Sequence, residues 1–281
     1  LFNQGILKQQ SYPIPLICVG NITVGGTGKT PHVELLISIL RKQHRVAVIS
    51  RGYKRKSRGL REVTLTSTAE EVGDEPKQIK QKYPEVRFVV DGDRRRAMRY
   101  LLALPEEERP EVVLLDDGFQ HRYVQPSFNI LLIDAQRELH DDELLPLGGL
   151  REPATARYRA DCIILTKCPH DMQPIKLRIM QRNLDLYAHQ EIFFSRIHYQ
   201  QPRAVRTLLG EASSPLPKDA LVIALSGIAS PGLYFSYLAE RYELIDQLVY
   251  PDHHQFRRKD FTAISERWQE LCEQHSGCPV Y

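Results

Sequence analysis

The sequence holds little of what marks a stapled, zinc-built or membrane-spanning protein. Its 281 residues include five cysteines and one tryptophan. Cys18, Cys162, Cys168, Cys272 and Cys278 form an odd set without a C-x-x-C pair. That argues against a disulfide framework or a cysteine-rich zinc site, and for isolated thiols in a reducing compartment. No apolar run approaches the roughly 20 residues that a bilayer-spanning helix needs. The longest, Ile14–Val19 and Val112–Leu115, have the length of buried strands. No internal repeat or low-complexity tract is present, and 42% hydrophobic with 26% charged residues argues against a disordered or collagen-like chain. At roughly 150 residues per domain, the length suits one large or two modest domains. Position 1 is Leu rather than Met and no signal peptide follows, so a leader or anchor preceding this numbering is expected.

An excess of one charge is also lacking: 38 Lys+Arg against 35 Asp+Glu leave a net +3. The basic residues are nevertheless clustered. Arg51–Arg61 (RGYKRKSRGLR) carries six of them and no acid. Arg94, Arg95, Arg96 and Arg99 form a second group, and Arg257, Arg258 and Lys259 a third. One such cluster is usually a solvated face. Three, each beside a segment with candidate chemistry, favour an anionic partner.

Short apolar runs alternate with helical patterns, which predicts a parallel α/β sheet. Ile14–Val19, Val46–Ser50, Phe88–Val90, Val112–Asp116, Ile130–Asp134, Cys162–Thr166 and Ile192–Ile197 read as strands. Thr30–Leu40 has helical spacing, with Val33, Leu36, Ile37 and Leu40 on one face and Pro31 in the first turn. From Gln200 to Asp219 the text turns rich in Pro, Ser and Gly, the composition of a connection. A domain spanning 1–200 and a smaller α/β domain spanning 201–281 are therefore expected. The second holds strands Leu221–Leu225 and Leu244–Val249 and helices near Leu233–Arg241 and Lys259–Glu273. Pro279-Val280-Tyr281 reads as the start of another strand, so the smaller domain is expected to be incomplete at its C-terminus.

The most specific segment joins the first strand to the first helix: Thr23, Val24, Gly25, Gly26, Thr27, Gly28, Lys29 and Thr30. Glycines allow backbone N–H groups to close around phosphate oxygens, and the helix start adds positive potential. Lys29 would reach the β- and γ-phosphates, and the Thr30 hydroxyl would ligate Mg²⁺. Thr23 stands where the common phosphate-loop pattern has its first glycine, so the match is to a G-G-x-G-K-T variant. Asp116 and Asp117 end the apolar run Val112–Leu115, where acids face the phosphate crevice and can hold Mg²⁺. Asp134 ends a similar run and reads as structural. Glu152, in Gly148–Pro153 (GGLREP), could add a metal ligand, and a rigid surface turn explains that segment nearly as well.

GNITVGGTGKTP (Gly20–Pro31), SRGYKRK (Ser50–Lys56), GDEP (Gly73–Pro76), DDGFQHR (Asp116–Arg122), LREP (Leu150–Pro153) and PDHHQF (Pro251–Phe256) occur in one order along the chain. Together they resemble the lipid A 4′-kinase family, the tetraacyldisaccharide 4′-kinases. The resemblance implies a P-loop NTPase-like domain plus a smaller α/β domain, with the site where the two meet. It implies phosphoryl transfer from ATP, with Mg²⁺, to the 4′-hydroxyl of a disaccharide 1-phosphate glycolipid. It further implies that Thr23–Thr30 bind ATP, that Asp93 and His253 form a catalytic pair, and that Asp116, Asp117 and Glu152 lie near the metal and phosphates. Tyr53 would lie near the nucleotide or acceptor, with His121 a weaker candidate. The partners implied are the anionic glycolipid and the inner-membrane surface, at its cytoplasmic face, without nucleic acid. The hydrophobic N-terminal anchor and the T-E-K-D segment usual in the family are not in this sequence. The rival from a different class is a deviant-Walker ATPase that hydrolyses ATP as a conformational switch, in which LREP and DHH have no task.

Overall fold

Apolar side chains that alternate along each strand, with both faces covered, dictate the architecture. The computed structural model describes residues 2, 4–137, 139, 142–202, 216–252, 254–275 and 278–281. It divides into two units, Leu1–Ile197 and His198–Tyr281. The Pro- and Ser-rich stretch at 203–215 and His253 lie outside the described residues.

In the first unit, in chain order, lie β1 (Leu16–Gly20), α1 (Lys29–Leu40), β2 (Val46–Ser50), β3 (Arg61–Val63), α2 (Ala69–Val72), α3 (Asp74–Lys82), β4 (Arg87–Val90) and α4 (Arg94–Leu102). They are followed by β5 (Val112–Asp116), β6 (Phe128–Asp134), a 3₁₀ turn (Ala154–Arg159), β7 (Cys162–Thr166), α5 (Pro174–Asn183) and β8 (Glu191–Phe194). One sheet forms in the order β3-β4-β2-β5-β1-β6-β7-β8, parallel except for β3 against β4. Val46, Val48, Val112 and Leu114 pack with Val33 and Ile37 of α1 and Ile79 of α3 on one face. Ala47, Ile49, Val113 and Leu115 pack on the other with Ala97, Met98 and Leu101 of α4 and Met180 near the end of α5. All five cysteines are free thiols, as their spacing suggested.

Each strand read from the sequence is present within a residue or three of its expected bounds. The edge strand β3 escaped that reading because it is three residues long and two of them, Arg61 and Glu62, are charged. It forms through tertiary pairing, the Arg87 guanidinium donating to both Glu62 carboxylate oxygens at 3.0 and 3.1 Å. Helix α2 is one turn, held by a capping box between Thr68 and Glu71. The second unit contains a parallel pair, β9 (Leu221–Ser226) and β10 (Glu243–Val249), with α6 (Gly232–Ala239) and α7 (Arg258–Gln274). Tyr281 bonds along β9 as a parallel strand would: its N–H donates to Leu221 O and its carbonyl accepts from Ile223 N–H. Among the described residues, no helix is long and apolar enough to cross a membrane.

One connection departs from the α/β pattern. After β5 the chain reaches β6 without a helix, and residues of 117–127 cover β1 directly, with Phe119 and Val124 in the core. That is possible because Gly20 lacks a side chain: a Cβ there would lie 2.6 Å from the Phe119 Cβ. Gly20→Ala should cost roughly 1–3 kcal/mol through overpacking, read as a lower urea midpoint at unchanged m. An unchanged midpoint would show that the crossover gives way freely.

Candidate functional site

The carboxyl ends of parallel strands form a crevice, and it is deepest where neighbouring connections diverge. Here that point is the end of β1, flanked by β5 and β6. The loop from Asn21 to Gly28 leaves it and enters α1. Gly28 occupies the N-cap position at φ 82°, in the left-handed region that glycine adopts without strain. No side chain caps α1, and its first turn holds no acid. The helix's own residues therefore supply no anion to its N-terminal dipole and N–H groups.

The loop is held from outside by its carbonyls. Gln120 Nε2 donates to Asn21 O at 2.7 Å and Arg151 N–H to Ile22 O at 2.7 Å. Arg137 Nη1 donates to Val24 O at 3.1 Å and the Thr166 hydroxyl to Thr27 O at 2.9 Å. His32 Nδ1 lies 2.7 Å from Gly28 O, an acceptor only, so this nitrogen carries the proton. Burial lowers the pKa of His32, and its Nε2 then accepts from the Ser195 hydroxyl at 3.0 Å. The N–H groups of Val24 and Thr27 are likewise engaged, donating to Gly149 O and Gly25 O, so phosphate oxygens would draw on the other N–H groups of the loop.

Across from the loop stand three carboxylates. Asp116 ends β5 and is buried. Burial first, then the charges of Glu75 and Asp117, push its carboxyl up to about 7, against the opposing pull of Lys29 and a Ser50 hydrogen bond. Thr30 Oγ1 donates to Glu75 Oε1 at 3.1 Å. Lys29 Nζ lies 3.6 Å from Asp117 Oδ1 and 3.5 Å from Asn21 Oδ1. Asp117 has φ 50°, a strained value for a residue with a side chain, and its carboxylate also meets Arg151 Nη1 at 3.2 Å. Arg94 is buried beside them. Burial lowers its pKa while the charges of Asp117 and Asp116 oppose that, and its Nε has no partner.

Lys29, Thr30, Asp116 and Asp117 are thus brought together, as their motifs suggested. Glu75 was missed: GDEP carried the resemblance without a role, and no spacing rule links it to Thr30. Glu152 has partners of its own. Its two oxygens accept from Arg159 at 2.6 and 3.0 Å and from Gln120 at 3.0 Å. It thereby orients the amide that holds Asn21. Asp93 caps α4, accepting from Arg95 N–H at 3.0 Å and Arg95 Nε at 3.2 Å. Burial opposes the shift, yet the two Arg95 hydrogen bonds outweigh it and hold Asp93 below the usual carboxylate range. Tyr53 is exposed, and Lys54 Nζ is 5.5 Å from its ring centroid. Burial first, then Arg94, pulls His121 down to about 4, and its buried Nε2 has no partner. Asp134 pairs with Lys167 at 2.6 Å, consistent with its structural reading.

Among the described residues, no three His, Cys, Asp or Glu side chains converge as a self-sufficient metal cage. The site still fits Mg²⁺, which keeps several waters and takes one or two carboxylates with phosphate oxygens. The mutual repulsion of Asp116, Asp117 and Glu75 is what such an ion would relieve. That repulsion should make stability depend on pH. A carboxyl raised from 3.8 to about 7 on folding makes the folded state retain a proton that the unfolded state loses, so stability falls as pH rises through that window. Asp116→Asn should raise the Tm of the ligand-free protein at pH 8, with the gain shrinking toward zero as pH falls to about 4. A Tm lowered at pH 8 would show that the charge is compensated.

This geometry can be set beside proteins of known kind. A family model described as Tetraacyldisaccharide-1-P 4'-kinase (LpxK) matches residues 1–274. The Tetraacyldisaccharide 4'-kinase of Porphyromonas gingivalis strain W83 is 50% identical over 280 residues, covering 100% of this chain and 78% of that protein. Its counterpart in Parabacteroides distasonis is 48% identical over 278 residues, covering 96% and 74%. The crystal structure of "apo" form LpxK from Aquifex aeolicus in complex with ATP superposes with a TM-score of 0.69 at 33% identity, covering 90% of this chain and 76% of that one. Matched by that family model over residues 1–274 and by relatives 48–50% identical along nearly its whole length, the chain belongs to the tetraacyldisaccharide-1-P 4'-kinase family.

Proposed function

We propose that this chain transfers the γ-phosphoryl group of ATP to the 4′-hydroxyl of a tetraacylated disaccharide 1-phosphate. The observation that carries the reading is the uncapped start of α1 facing Asp116, Asp117 and Glu75 across the glycine loop. In the transfer, the acceptor oxygen forms a bond to γ-phosphorus, the bond from the β–γ bridging oxygen breaks, and ADP leaves. The hydroxyl proton passes to a carboxylate or to solvent. Loop N–H groups and Lys29 bind and neutralise the phosphate oxygens as charge develops on the bridge. Thr30 with one or two of the carboxylates Asp116, Asp117 and Glu75 would hold Mg²⁺, which would supply further charge neutralisation.

For the acceptor proton, Asp93 with His253 is the pair implied by resemblance. A carboxylate below its usual range is a weak base, which suits Asp93 to orienting the hydroxyl more than to removing its proton. Asp74 offers a second carboxylate, exposed at the start of α3 directly before Glu75. Exposed arginines of Arg51–Arg61 and Arg94–Arg99 suit the anionic headgroup and an anionic bilayer surface, and a reaction that consumes ATP suits the cytoplasmic face of the inner membrane.

Lys29→Ala should lower kcat for lipid phosphorylation by more than about 100-fold, since it removes a charge used in the transition state. Near-normal transfer by a folded variant would overturn the nucleotide assignment, and ATP hydrolysis indifferent to the lipid would favour the switch ATPase. A pH–rate profile of Asp93→Asn, Asp74→Asn, His253→Ala and the Asp93/His253 double variant sorts the proton acceptor. Non-additive kcat losses in the double variant support the pair. A loss of the basic limb in Asp74→Asn alone moves the role to α3.

A further inference from the structure

The second unit carries chemistry that the phosphate-loop site does not use. β9 ends in Ala224, Leu225 and Ser226 and turns through Gly227, Ile228, Ala229, Ser230 and Pro231 into α6. Because β9 and β10 are parallel, the segment after β10 begins at the same end. Tyr250 N–H donates to Ser226 O at 2.7 Å, and Pro251 O lies 3.8 Å from where a Gly227 Cβ would stand. This carboxyl end is where parallel α/β units take up ligands.

Two independent features meet there. Pro231 occupies the N-cap position of α6, where no side chain supplies a cap, and the first turn of the helix holds no acid. The helix's own residues therefore supply no anion to its leading N–H groups and positive dipole end. The second feature is Ser226. Strand alternation places it on the face of Ala224, which packs with Phe235 and Leu238 of α6. Its hydroxyl is thus directed beneath the helix start. Ser226 is 5% exposed, and its Oγ has no hydrogen-bond partner. A buried hydroxyl without a partner costs stability, and an oxyanion at the helix start would satisfy hydroxyl, N–H groups and dipole together.

We propose that the turn between β9 and α6 binds a phosphate group. Resting on the kinase reading, this phosphate has two sources: the 1-phosphate of the acceptor lipid or a phosphate of the nucleotide. Exposed Ile228, in the turn, and Phe256, 3.9 Å from the Gly227 Cβ position, give the site an apolar rim that suits an acylated sugar phosphate.

Gly232→Glu and Ser226→Ala test it in steady-state kinetics on the full chain. Gly232 is exposed, and nothing lies within 4 Å of a Cβ added there. An acid in the first turn suits the helix dipole, so Tm should hold or rise while a bound phosphate is repelled. Ser226→Ala removes an unpartnered hydroxyl, so its Tm should likewise not fall. Each variant should raise the KM for the disaccharide 1-phosphate about tenfold, the scale of one charge-assisted contact. With the 1-dephosphorylated disaccharide lipid as acceptor, neither should change KM further. A rise confined to the KM for ATP assigns the same site to the nucleotide. Unchanged KM for both substrates, or a fall in kcat alone, overturns the proposal. An unmodified chain that phosphorylates no lipid overturns the kinase reading instead, which separates the two failures.

Discussion

Negative charge concentrated at the end of β5 is the constraint around which the first unit is arranged. β5 lies between β2 and β1, so the carboxylate of Asp116 is buried whatever else the chain does. Asp117 follows in a left-handed conformation, and α3 brings Glu75 to the Thr30 hydroxyl. Lys29 and the buried Arg94 offset part of this charge without forming a closed ion-pair network. Such an arrangement would be destabilising when empty and would become favourable if cations and phosphates entered, which is how function can be held against stability.

The phosphate loop shows how much surrounding structure a short glycine segment needs. Its carbonyls are engaged by groups from the DDGFQHR segment, the LREP segment, the ends of β6 and β7, and α1 itself. Glu152 is part of that support: clamped by Arg159, it aims Gln120 at Asn21. Conserving loop shape through side chains far apart in sequence explains why a motif lacking its first glycine keeps its form here. A backbone bond from Val24 N–H to Gly149 O supplies restraint at that end.

Clustered basic residues overstate the positive charge they present. Arg96 is bound in a bidentate pair with the buried Asp91, Arg95 returns to Asp93, and Arg55 donates to Ser57 and the Gly59 carbonyl. Part of each cluster builds its own loop or helix start, while Arg51, Arg58 and Arg99 remain exposed. A lipid headgroup would therefore meet a few fixed cations set in an ordered frame rather than a diffuse basic tail.

Periodicity and composition were enough to expose the parallel sheet, because strands buried on both faces must be continuously apolar and the glycine loop must sit between a strand and a helix. Local motifs likewise carried Lys29 and Thr30, whose place is set by the few residues between the end of β1 and the start of α1, and Asp116 and Asp117, which close the apolar run of β5. What lay beyond reach were pairings between distant segments. The strand β3 exists through Glu62 and Arg87, and Glu75 belongs to the site only because α3 packs beside β4 and reaches Thr30. Glu152 and Asp93 illustrate the converse: each has the right type and a plausible place, yet nearby arginines decide how their carboxylates are used. Sequence fixes which groups are available and which face of an element they occupy. Only the folded structure decides which charge each one meets, because partners range from the next turn, as for Asp93 and Arg95, to tens of residues away, as for Thr30 and Glu75.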